Sequence, residues 1–101
     1  MRVEKLFTYG TLRDGEIRKA LFGGLPRGPV DHLDGYVRSV TTIEGVEYPN
    51  ICVSAGDSVE GELMTVNEQT LAHTDEYETA AYERRRVTLR SGVEAWVYIR
   101  P

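Results

Sequence analysis

Two stretches of this 101-residue chain carry residue types that could do acyl chemistry. The first is Tyr9-Gly10-Thr11-Leu12, placed where a strand-like run ends. Gly10 permits backbone conformations closed to other residues. A strand breaking into such a turn can aim successive N–H groups at one point and so hold an anion or a developing oxyanion. Thr11 adds a hydroxyl. The plain alternative is an ordinary turn, which is what most strand–glycine segments are. The second stretch is Leu71…Asp75…Glu78, spaced i, i+4, i+7 and so sharing one helix face. With Leu71 in the core, Glu78 is carried to the interior or the rim of a pocket. A poorly solvated carboxyl group with Asp75 one turn away has its pKa raised, as a general base working near neutral pH requires. The alternative is a solvated helix end, where most acidic residues lie.

Tyr82, Arg84, Trp96 and Tyr98 form a third set. Strand aromatics mostly pack against cross-strand neighbours, yet a Tyr hydroxyl or the Arg84 guanidinium could also engage a substrate carboxylate. Other chemistries lack their residues. His32 and His73 stand far apart, and no spaced cluster of His, Cys, Asp and Glu reads as a metal site. No Ser or Cys sits in a nucleophile elbow, and Gly23-Gly24 lacks the pattern of a nucleotide loop. Cys52, the single cysteine, can form no internal disulfide, which fits a reducing compartment. It lies in Ile51-Cys52-Val53, where a buried, inert thiol is expected.

The net charge of −4, from 16 acidic and 12 basic residues, argues against a nucleic-acid partner. The basic run Arg84-Arg85-Arg86 reads as a strand, whose alternate side chains point to opposite faces and make no single patch. No apolar stretch is long enough for a membrane span, and residues 1–5 lack the apolar region of a signal peptide. A cytoplasmic setting without a membrane anchor is expected.

These residues need elements to hold them. Length and composition fit one domain over residues 1–101. Residues 2–8 read as a strand. Asp14 can cap a short helix over residues 15–22, stopped by Gly23-Gly24. Residues 31–43 read as one bent strand or two short ones around Gly35. A short strand over 50–54 and a turn at Gly56-Asp57 follow. The next strand covers 58–66, where the interior Gly61 marks a bulge or a close approach. Asn67 caps a second helix running to 76–78. Strands over 83–90 and 93–99 join at Ser91-Gly92. Many short strands with two non-alternating helices indicate an α+β fold with a curled or barrel-like sheet.

The ordered pieces resemble the gamma-glutamylcyclotransferase-like family. Residues 7–13, Phe-Thr-Tyr-Gly-Thr-Leu-Arg, resemble its opening turn, and Tyr48-Pro49 its mid-chain Tyr-Pro. Val59-Glu60-Gly61-Glu62-Leu63 resembles its Val-X-Gly-Glu-Leu strand. Asp75-Glu76-Tyr77-Glu78 with Tyr82-Glu83-Arg84 resembles its Asp-X-aromatic-Glu-Gly…Tyr-X-Arg segment, and residues 95–98 its last strand. The sequence departs from the pattern at Thr79, where Gly is usual, and at Thr74, where an apolar residue is usual. The resemblance implies a small mixed β-barrel with flanking short helices. It implies an enzyme that cyclises a gamma-glutamyl group to 5-oxoproline, with no metal or organic cofactor. Residues 9–12 would bind the small-molecule gamma-glutamyl substrate and Glu78 would be the acid/base. Tyr82, Arg84 and Tyr98 join the expected substrate-binding set. A non-catalytic module holding an amino-acid-like anion in the same pocket is the alternative.

Overall fold

A computed structural model describes residues 3–10, 19, 28–78 and 81–100, without the side chains of residues 77 and 78. In chain order the elements are β1 (Val3–Thr8), β2 (Val30–Ile43), β3 (Val46–Asn67), helix α1 (Glu68–Glu78), β4 (Glu83–Thr88) and β5 (Glu94–Ile99). The expected helix over residues 15–22 lies outside the described residues. The strands form one sheet in the order β2-β3-β1-β5-β4. Only the β1–β5 pair is parallel.

The period-2 alternation of strands divides the apolar residues between two cores. Phe7, Leu33, Ile51, Val59, Leu63 and Val97 fill the inside of the curl. Leu6, Met64, Val66 and Tyr98 face the other way and are covered by Leu71 of α1. Both faces of the second half of β1 are therefore buried, and the adjacent Leu6 and Phe7 are 0% and 1% exposed. The helix starts where expected, with the Asn67 side chain accepting a hydrogen bond from the Thr70 N–H at 2.7 Å. Thr74 is fully buried and donates its hydroxyl to the Thr70 carbonyl at 2.9 Å, which is how a polar residue occupies this apolar position.

The sheet curls into a half-barrel because its two edges meet at one end. The Arg90 N–H donates to the His32 carbonyl at 2.8 Å, and the Arg90 guanidinium pairs with Asp34 at 2.7 Å. Asp31, buried in β2, accepts hydrogen bonds from the hydroxyl and N–H of Ser91. The expected turn at Ser91-Gly92 is thus tied to the opposite edge strand.

The segment around Gly35 is one bent strand, one of the two forms expected, with its register shifting between Asp34 and Tyr36. Other expectations need correction. The strands expected on either side of Gly56-Asp57 are one strand. Residues 54–57 have no partner in β2 and stand opposite Gly35, so the expected turn is a wide bulge. A tight hairpin at Glu44-Gly45, both with positive φ, joins β2 to β3 and was not anticipated. Cys52 is exposed, not buried. It alternates with Ile51, which takes the buried face, and the outer part of the β2–β3 arm projects beyond the inner core.

Gly61 marks a close approach, as its interior position suggested. A Cβ there would lie 2.5 Å from the Thr8 carbonyl oxygen and 2.6 Å from the Phe7 ring. Gly61→Ala forces these apart and should lower stability by about 1–3 kcal/mol, read by chemical denaturation. Asp31 supplies a pH test. Burial by itself pushes its carboxyl up, but hydrogen bonds from the Ser91 hydroxyl and from the His32 and Ser91 N–H groups outweigh this and hold it below the ordinary aspartate range. A depressed carboxylate contributes its stability above the unfolded value and loses it as pH falls through the lower folded value. Asp31→Asn should therefore destabilise the protein by about 1–3 kcal/mol at pH 7, and the gap to wild type should narrow as unfolding is measured below pH 4, under the unfolded value of 3.8.

Candidate functional site

Strand β1 ends its ladder at Thr8, opposite Glu62, and the next two residues are held from several sides. The Tyr9 side chain turns into the inner core, and its hydroxyl donates to the Tyr98 carbonyl on β5. The Tyr9 carbonyl accepts a hydrogen bond from Arg38 Nη1 on β2 at 2.6 Å. Gly10 lies against Pro49 of β3, where an added Cβ would be 3.0 Å from the Pro49 Cβ. Its φ lies outside the left-handed region, so close approach, not unusual backbone conformation, explains a glycine here. Thr11 and Leu12 lie outside the described residues.

The second half of the candidate site is carried by α1. Its N-terminus follows Asn67, which pairs with Val3 at the start of β1. Eight residues on, Asp75 Oδ1 accepts a hydrogen bond from the Tyr98 hydroxyl at 2.6 Å. Tyr98 lies two residues past Trp96, whose register partner on the parallel strand β1 is Leu6. The helix therefore advances along β1 in the same direction, towards Thr8 and Tyr9. Three further residues carry the Glu78 backbone about 4.5 Å beyond Asp75 along the helix axis. The Glu78 side chain lies outside the described residues, as does Thr79.

The chain then returns to the same end of the sheet. The Tyr82 hydroxyl donates to the Pro49 carbonyl at 2.8 Å. Gly10 and Tyr82, more than seventy positions apart, thus meet on one proline. The neighbouring Asn50 side chain is buried and exchanges hydrogen bonds with the Arg100 main chain at 2.9 and 3.0 Å. Tyr9, Gly10 and Tyr82 are brought to one end of the half-barrel, with Tyr98 joining them through its carbonyl.

Arg84 belongs to a different group. Its Nε lies 3.4 Å from Asp75 and its guanidinium lies 4.4 Å from the Trp96 ring centroid. Arg86 stacks on the same ring at 5.1 Å, while Arg85 on the opposite face pairs with Glu83, so the basic run is divided as the pleat requires. The Trp96 indole N–H donates to Glu4 at 3.2 Å. Between α1 and this cluster lies a recess of about 240 Å³ lined by Glu4, Glu68, Leu71, Asp75, Arg84 and Trp96, among others. Its charged groups are largely matched to one another. The Tyr98 hydroxyl and Arg84 both serve to hold Asp75, a use that residue type and position alone did not reveal.

Two contributors escaped the sequence reading. Arg38 had no signal, since an Arg in a strand reads as solvent-facing. Pro49 was noticed only through its Tyr-Pro resemblance. Among the described residues no group of three or more His, Cys, Asp and Glu could hold a metal ion. No helix among them is long and apolar enough to cross a membrane.

Known structures share this architecture. A protein named gamma-glutamyl cyclotransferase superposes with a TM-score of 0.82 at 18% identity, over 99% of this chain and 68% of that one. The uncharacterized protein loc79017 from Homo sapiens gives 0.87 at 19% identity, over 100% and 68% of the two chains. The uncharacterized protein PH0828 from Pyrococcus horikoshii gives 0.73 at 21% identity, over 96% and 77%. These likenesses establish the fold, and the chain spans about two thirds of the length of the first two. No curated protein matches the sequence. The family model described as "Gamma-glutamyl cyclotransferase, AIG2-like" matches residues 6–101, nearly the whole chain, and the chain belongs to that family.

Proposed function

We propose that the chain is a gamma-glutamylcyclotransferase-type enzyme that releases 5-oxoproline from a small gamma-glutamyl amine, amino acid or peptide. One observation carries the reading furthest. Helix α1 is anchored by Asp75 to Tyr98, so that its last turn advances towards the residues following β1, while Gly10 and Tyr82 both rest on Pro49. That the backbone of Glu78 and residues 9 and 10 lie towards the same end of the sheet supports the reading. Family membership and the fold shared with a protein named gamma-glutamyl cyclotransferase support it.

The chemistry suits these residue types. The substrate's own α-amine attacks its γ-carbonyl carbon, forming the ring C–N bond. Glu78 takes the proton that the amine must lose. The N–H groups of residues 9–12 hold the oxyanion of the tetrahedral intermediate, an effect worth about 3–4 kcal/mol per donor in acyl transfer. The intermediate collapses by breaking the old C–N bond, and Glu78 returns the proton to the departing amine. Holding the flexible glutamyl chain folded supplies much of the remaining rate. Every group in the cycle comes from the protein or the substrate, so the reaction calls for neither metal nor cofactor. Tyr82 and Tyr98 border the site, and Arg84 acts on it through Asp75. A cytoplasmic location belongs to the same proposal.

The test is 5-oxoproline release from a panel of gamma-glutamyl amines, dipeptides and glutathione. Glu78→Gln should reduce release by at least about 100-fold while the melting temperature stays close to wild type. The wild-type rate should fall on the acid side as Glu78 takes up a proton, and the variant's residual rate should lose that dependence. Undiminished release by folded Glu78→Gln would sink the proposal. Ligand-dependent melting shifts without turnover by wild type would favour a binding module instead.

A further inference from the structure

Arg38 is exposed, lies in β2, and among the described residues is joined to no carboxylate; it spends both ends of its guanidinium on main-chain carbonyls. Nη1 donates to Tyr9 at 2.6 Å and Nη2 donates to Glu60 at 2.7 Å. In the β2–β3 ladder Arg38 partners Ile51, which is buried in the inner core, so its stem leads over the mouth of the curl. Its first target is not a routine one. The β1 ladder ends at Thr8, and Tyr9 is the first residue whose carbonyl has left it.

We propose that Arg38 is a positioning residue that aims and strengthens the Gly10 N–H as a donor to the substrate. The proposal rests on reading residues 9–12 as the substrate-binding turn. The peptide joining Tyr9 to Gly10 is planar and trans, so its C=O and N–H point in opposite directions. Fixing the carbonyl on Arg38 fixes the direction of the Gly10 N–H, which points away from the guanidinium. A rigid, planar fork held by two carbonyls does this better than a single-point ammonium. The same bond is charge-assisted, and withdrawing electron density from the carbonyl oxygen makes the N–H of that peptide a stronger donor. The contact between Gly10 and Pro49 stops the peptide from turning to escape this alignment.

Arg38→Met and Arg38→Lys test it by two independent readouts. In NMR spectra of the folded protein, the Tyr9 carbonyl carbon and Gly10 amide proton should both shift in the Met variant. The Lys variant should shift them less, and amides of β4 and β5 should stay in place. In turnover of a gamma-glutamyl substrate, the Met variant should lose about 10- to 100-fold in kcat with KM changed by less than about three-fold, and Lys should recover part of the loss. A purely structural role would lower the melting temperature without that division between kcat and KM. Unmoved Tyr9 and Gly10 resonances in folded Arg38→Met overturn the proposal whatever the activity. An unchanged kcat overturns it equally. Wild-type protein that releases no 5-oxoproline, with both resonances shifting in Arg38→Met, overturns the proposed reaction and leaves the orientation of Gly10 by Arg38 supported.

Discussion

The end of β1 is the constraint on which the rest of the structure depends. A chain leaving a sheet ordinarily gains freedom, because its carbonyls and N–H groups lose their ladder partners. Here the first residues past the ladder are fixed by three other strands. β5 takes the Tyr9 hydroxyl, β2 takes the Tyr9 carbonyl through Arg38, and β3 presses Pro49 against Gly10. Tyr9 and Gly10 are thereby given the rigidity of the sheet around them. Donors that must meet a developing charge gain most when they need not reorganise at the moment of reaction. Close packing, not an unusual glycine conformation, achieves this.

The opposing element is fixed by different means. Among the described residues, helix α1 meets the outer core through Leu71. Its last turns are located by Asp75, which receives the Tyr98 hydroxyl and the Arg84 side chain. Arg84 is in turn stacked on Trp96, whose indole reaches Glu4 near the beginning of β1. The family's Asp-X-aromatic-Glu segment thus has a division of labour in this chain. Asp75 places the helix, leaving Glu78, a turn further on, for the proposed chemistry.

Much of the architecture could be read from the sequence where the cause was local. Asn67 announced the helix start, Gly61 a close approach, and Ser91-Gly92 a hairpin. The alternation of Arg84, Arg85 and Arg86 divided a basic run between two faces. Longer-range causes were invisible. Cys52 sits in an apolar run that looked buried, but the arm carrying it extends past the core. Gly56-Asp57 has the composition of a turn, yet the strand runs through it because Gly35 on its partner bends at the same level. Arg38 offered no sign of its task, since its partners are carbonyl oxygens and those have no residue identity. The candidate site was legible as two short motifs. What joins them, Pro49 on one side and Tyr98 on the other, depends on strand order, which no local pattern encodes.

The central position of β1 also bears on how the molecule is born. Val3 pairs with Asn67, and Leu6 with Trp96, so β1 is flanked by strands that follow it far along the chain. Pairings at such separations carry a large loop-closure cost and slow the search for the native state. During synthesis, Leu6 and Phe7 must wait with one edge of their strand unsatisfied until β5 clears the ribosome.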